Sequence, residues 1–139
     1  MRDIGVQHVG VADTIGVGTP AAVQRAMAAA LAVYPVADVS GHFHDTYGQA
    51  LANVYACLEL GIATFDTSVT GLGGCPYAKG ATGNVATEDV VYMLHGLGID
   101  TGIDLAKLRE AGRFISAQLG RATGPRAGRA LDVRQGARA

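Results

Sequence analysis

The chain has 139 residues, 49% hydrophobic and 17% charged, with a formal net charge of −1. That length suits one compact domain. The near-neutral charge gives no case for a nucleic-acid partner, and no run of about 18 apolar residues argues for a membrane span. Two cysteines, Cys57 and Cys75, form no CxxC motif and no disulfide framework, which suits a reducing compartment. The opening MRDIGVQHVGV lacks a signal-peptide layout, so a bacterial cytoplasm is expected, or the mitochondrial matrix in a eukaryote.

In chain order, VQHVGVA (6–12) reads as a strand and DTIGVGTP as a turn, with Thr19 as the cap and Pro20 in the first turn of a helix over 21–34. Pro35 breaks that helix, and ADVSGHFH (37–44) reads as a second strand. A second helix, TYGQALANVYACLEL (46–60), ends at Gly61, and IATFDTS (62–68) is a third strand. The glycine-rich GLGGCPYAKGATGN (71–84) precedes a helix over 86–98, and Asp104 caps a last helix over 105–119. Alternating strands and helices imply an α/β fold with a parallel sheet. Residues 121–139 carry five arginines and one aspartate, a balance of +4 against −5 for residues 1–120. That tail is expected to be basic, Arg/Ala/Gly-rich and flexible, so the domain is placed at 1–120.

In parallel α/β sheets, ligands bind at the carboxyl ends of strands. Asp13, the GHFHD stretch (41–45) and the glycine loop all fall there. Residues two apart on a strand share a face, so His42 and His44 project together, as the start of a metal site or as two hydrogen-bonded polar residues. A His-x-His pair needs oxygen ligands from elsewhere, which suits a hard or borderline divalent ion. Asp45 either orients one ring or caps the next helix. Asp13 is a turn residue, or a group that binds substrate or moves a proton. Cys75 is an incidental loop cysteine, or an acid, base or nucleophile whose pKa nearby N–H groups or Lys79 could lower. Asn84 either caps the helix near Thr87 or offers a carbonyl oxygen to a metal, and Glu88 and Asp89 suit that helix's positive end. Cys57 lies on an apolar helix face and reads as core.

The strings ADTIGVGTP, GHFHDTYGQALANVYACLELG, SVTGLGGCPYAKGATGN and ATEDVVYMLHGLGI together resemble hydroxymethylglutaryl-CoA lyase over about residues 5–120. The resemblance implies a metal-dependent (β/α)8 TIM barrel, of which this sequence carries three C-terminal strand–helix units and a terminal helix. It implies cleavage of 3-hydroxy-3-methylglutaryl-CoA, an acyl-CoA thioester, to acetyl-CoA and acetoacetate with Mg2+ or Mn2+, as in leucine degradation. By the same resemblance His42, His44 and Asn84 are metal ligands, and His42 also takes part in proton transfer. Asp13 matches an active-site aspartate, Cys75 the cysteine of a loop that closes over substrate, and Glu88 a glutamate that supports the site.

A barrel of this kind has eight strands in about 250 residues. The first five units, with the family's Arg-Asp-Gly metal and substrate residues, are not in this sequence, and Arg2-Asp3 precedes its strand instead of following one. Activity is therefore expected to need an N-terminal barrel half or self-association. The alternatives are a non-catalytic metal- or CoA-binding chain and a related acyl-CoA condensing synthase, against which the cysteine loop argues.

Overall fold

A computed structural model of the chain describes residues 2–74 and 83–136. It divides into two units, Met1–Asp66 with Gly73–Asn84, and Thr67–Leu72 with Val85–Ala139.

In the first unit, strands β1 (Val9–Asp13), β2 (Val39–Phe43) and β3 (Thr64–Asp66) form a parallel sheet in the order β1-β2-β3. Helices α1 (Pro20–Leu31) and α2 (Ala50–Leu58) connect them. This is the α/β arrangement expected of consecutive barrel units. Register pairs Val9 with Val39 and Asp13 with Phe43, and it pairs His42 with Asp66. One face of β2 is closed: Val39 and Phe43 are buried with Val23, Met27, Val54, Cys57 and Ile62 as the core. Gly41 leaves room for the Phe43 ring, because a Cβ there would come within 2.8 Å of it. The other face of β2 carries Ser40 and His42.

The elements are shorter than their sequence patterns. β1 begins at Val9, so His8 precedes the strand and pairs with Asp38 at 3.3 Å. Thr19 stands at the cap position of α1, yet its side chain makes no cap hydrogen bond, and Pro20 takes the first helical position. Helix α2 starts at Ala50, not at Thr46, because Gly48 adopts φ +68 and stops a right-handed helix. Asp45 accepts from the Ala50 N–H at 3.0 Å, the capping role offered to it.

The second unit is helical: α3 (Thr87–Gly96), α4 (Leu105–Gln118) and α5 (Arg126–Gly136). Asp104 caps α4 as expected, accepting from the N–H groups of Ala106 at 2.9 Å and Lys107 at 3.2 Å. The expected flexible tail is corrected over Arg126–Gly136, which form α5. Its first amides and its one carboxylate find partners on neighbouring helices. Asp89 on α3 accepts from the N–H groups of Arg126 at 3.1 Å and Ala127 at 2.7 Å. Asp132 pairs with Arg113 at 2.9 Å and with the buried Arg109 of α4. A helix N-terminus has unsatisfied N–H groups, so a carboxylate from a neighbouring helix both caps and docks it. No helix among the described residues is long and apolar enough to cross a membrane.

Candidate functional site

The carboxyl ends of β1, β2 and β3 gather Asp13, His42, His44 and Asp66 in the first unit. The His42 and His44 rings lie 5.3 Å apart between centroids and are inclined by 51°, so the two-residue spacing does bring them together. Each ring is held at Nδ1 from a flanking strand. His42 Nδ1 is 3.3 Å from Asp66 Oδ2, and His44 Nδ1 is 3.3 Å from the Asp13 carbonyl oxygen. A carbonyl oxygen only accepts, so His44 carries its proton on Nδ1 and leaves the Nε2 lone pair open. The Asp13 carbonyl also takes the His44 backbone N–H at 3.4 Å, which ties the end of β1 to the residue after β2.

The Asp13 carboxylate is committed to its own turn. It accepts from the N–H groups of Gly16 at 3.0 Å, Val17 at 3.2 Å and Gly18 at 2.8 Å. The turn is tight: a Cβ on Gly18 would lie 2.9 Å from Asp13 Oδ2. Asn53, fully buried on α2, donates to the Gly18 carbonyl at 2.9 Å and fixes the turn from below. Asp13 therefore takes the turn role foreseen for it, and its contact with His44 runs through the backbone.

Asn84 does not cap α3. The cap position belongs to Ala86, and Asn84 instead forms an antiparallel bridge with His44, beside the Asp45 N–H to Gly83 O hydrogen bond of 3.2 Å. Residues directly opposite in such a bridge place their side chains on the same side, with Cβ atoms about 5 Å apart. Gly73, at φ +99, leaves room for the Asn84 amide; a Cβ there would lie 2.6 Å from Asn84 Nδ2. Among the described residues no three His, Cys, Asp or Glu side chains converge as a metal cluster. The donor set at hand is two imidazoles with open Nε2 atoms and one amide oxygen. That mixed set suits a borderline divalent cation completed by oxygen ligands.

Glu88 belongs to the second unit and is 1% exposed. Its carboxylate accepts from the Thr70 N–H with both oxygens, at 3.1 and 3.0 Å. Burial pushes the carboxyl above its ordinary 4.5; its hydrogen bonds to the backbone N–H groups of Glu88 and Thr70 oppose that shift, and the neighbouring Asp89 adds to it. Thr70 is the one non-glycine at positive φ among the described residues (φ +57), and a Cβ on Gly112 would lie 2.6 Å from Glu88 Oε1. Glu88 is thus the buried acceptor for the Thr70 N–H within its own unit. Cys75 and Lys79 lie outside the described residues. Cys57 is fully buried and its thiol is pushed up to about 11, as a core residue. Asp66 escapes a reading of the sequence alone, because a single acidic residue at a strand end has no motif around it and its pairing with His42 depends on register.

The sequence profile of the HMGL-like family matches residues 1–115. A Pseudomonas aeruginosa protein named 3-hydroxy-3-isohexenylglutaryl-CoA/hydroxy-methylglutaryl-CoA lyase is 57% identical over 131 residues, covering 94% of this chain and 44% of that protein. The mitochondrial hydroxymethylglutaryl-CoA lyase of Arabidopsis thaliana is 56% identical over 134 residues, 96% of this chain and 29% of that protein. Among solved structures, the Pseudomonas aeruginosa lyase superposes with a TM-score of 0.90 at 56% identity, over 96% of this chain and 44% of that one. A lyase from Acinetobacter baumannii, solved with coenzyme A and 3-methylmalate, gives 0.88 at 40% identity, over 93% of this chain and 42% of that one. The chain therefore spans less than half the length of these relatives. It corresponds to a stretch of their TIM barrel, and it belongs to the HMGL-like family.

Proposed function

We propose that the chain supplies the metal-binding part of a hydroxymethylglutaryl-CoA lyase, which cleaves 3-hydroxy-3-methylglutaryl-CoA to acetyl-CoA and acetoacetate. The observation that carries this reading is the His42–His44 pair with open Nε2 atoms, in a chain more than half identical to named lyases. The proposed cation is Mg2+ or Mn2+, completed by oxygen ligands. When bound, it would supply Lewis-acid polarisation of the substrate oxygens.

The chain's own residues divide the remaining work. His42 and His44 present nitrogen, and Asn84 an amide oxygen. With Nδ1 facing Asp66, His42 has one ring lone pair left, so at any moment this residue either ligates or takes a proton, and not both. In the cleavage a base takes the proton of the tertiary hydroxyl. The carbon–carbon bond breaks, and its electron pair passes to the thioester α-carbon as an enolate. An acid then protonates that enolate to acetyl-CoA. Cys75 is the proposed acid. Asp13 supports the site by ordering its turn, and Glu88 orders the Thr70 backbone of its own unit.

Because relatives are more than twice as long, the active form is proposed to pair this chain with the remaining barrel strands, from an N-terminal half or a second copy. The matched relatives are bacterial and mitochondrial proteins, and the proposed compartment is the bacterial cytoplasm or the mitochondrial matrix. The test is acetoacetate release with Mn2+, by the chain alone and mixed with the segment of the Pseudomonas aeruginosa lyase that it does not span. The name of that relative also covers an isohexenyl thioester, so both thioesters are assayed. Release of acetoacetate from the first in either mixture supports the reading, and none in both ends it.

A further inference from the structure

We infer that Asp66 is a positioning residue, which fixes the His42 tautomer and presents its Nε2 at the carboxyl end of the sheet. Register makes the placement direct, since His42 and Asp66 are Cα partners across the β2–β3 pair. The carboxylate oxygen reaches His42 Nδ1 at 3.3 Å. An ionised carboxylate only accepts, so the bond requires the proton on Nδ1 and leaves the lone pair on Nε2. Without that acceptor the ring is free to carry its proton on either nitrogen.

The neighbouring ring argues the same way. His44 receives its Nδ1 acceptor from the Asp13 carbonyl on β1, and His42 receives its own from Asp66 on β3. The two strands that flank β2 thus set both rings alike. A structural purpose for the pair is weak, because the Asp66 side chain is 66% and the His42 side chain 33% exposed. A carboxylate–imidazole contact this open contributes little to folding. Its effect falls on which nitrogen faces outward, and ring partners of this kind raise the basicity and fix the direction of a ligating imidazole.

This inference rests on the metal reading for its purpose but not for its geometry, and the experiment separates the two. Nitrogen-15 spectra of the full chain without metal, at a pH where both rings are neutral, report the tautomer of each histidine. In the wild type His42 is expected as Nδ1–H. Asp66→Ala is expected to give a mixture at His42 while His44, held by Asp13, stays unchanged as the internal control for folding. Asp66→Asn, whose amide oxygen still accepts, is expected to restore Nδ1–H. Calorimetry with Mn2+ is expected to show affinity roughly 10- to 100-fold weaker in Asp66→Ala and largely restored in Asp66→Asn. An unchanged His42 tautomer in Asp66→Ala overturns the assignment. So does a shifted tautomer with unchanged Mn2+ affinity. A wild type that binds no Mn2+ while the tautomer still shifts removes the metal reading and leaves the positioning of His42 by Asp66 in place.

Discussion

Asp13 in the first unit and Glu88 in the second are both carboxylates held by backbone N–H groups, and they are held in opposite ways. Asp13 gathers three amides from within five residues of itself, at a part-buried turn. Glu88 is fully buried and takes the Thr70 amide from 18 residues away, where desolvation outweighs the hydrogen bonds. At Glu88 the loss of water, and not a lack of donors, raises the carboxyl. Asp13 organises a loop that would form locally. Glu88 holds together pieces of chain that have no local reason to meet.

The comparison breaks most readily at Glu88. Glu88→Ala leaves the buried Thr70 N–H without its acceptor and opens a void beside Gly112, so a loss of about 2–4 kcal/mol is expected in urea unfolding. Glu88→Gln keeps an acceptor and removes the charge. Since the folded carboxyl titrates above 4.5, the folded state binds this proton more tightly than the unfolded chain does. Wild-type stability is then greatest below that value and falls as the pH rises through the raised one. Glu88→Gln should flatten that decline, and an identical slope in both proteins would show that the buried charge is not its source.

The Asp13 side of the comparison predicts a smaller effect. Asp13→Ala frees three amides, two of them part-buried, and should cost about 1–2 kcal/mol by the same unfolding measurement, with a disturbed His44 ring signal. Asp13→Asn should recover most of both. If the asparagine variant folds fully, keeps the His44 tautomer and yet abolishes acetoacetate release, Asp13 moves a proton and is more than an organiser of the turn. The least effect is expected at Cys57. With its thiol pushed up to about 11, it should stay unlabelled by iodoacetamide at pH 8 in the folded chain, so that Cys57→Ser leaves the labelling of the wild type unchanged. Labelling that disappears in Cys57→Ser would place Cys57 outside a closed core.

What was legible in the sequence was local. The two-residue spacing of His42 and His44 gives a shared face on any strand, and Asp104 before an apolar helical pattern gives a cap. Asp13 before a glycine-rich stretch gives a turn. What escaped needs partners distant in the chain. The arginines of 121–139 suggested a solvated tail, yet Asp89 and Asp132 turn Arg126–Gly136 into a docked helix. The start of α2 was set by the left-handed backbone of Gly48, against a pattern that allowed helix from Thr46. Asp66 became visible only once β3 was aligned with β2.

Thr70 has one more consequence. A β-branched residue at φ +57, ψ +15 is strained by roughly 1–3 kcal/mol, and its buried hydroxyl finds no partner among the described residues. Its N–H is held by Glu88, its carbonyl accepts from Arg121 Nη2 at 3.5 Å, and Gly124 passes so close that a Cβ would meet that carbonyl at 2.7 Å. The surroundings therefore fix the backbone whatever side chain stands there, and glycine would adopt the same angles without steric cost. Thr70→Gly would release that strain, but it would also remove a side chain that is 1% exposed and loosen the unfolded chain, so the effects oppose each other at a position held in place by its surroundings.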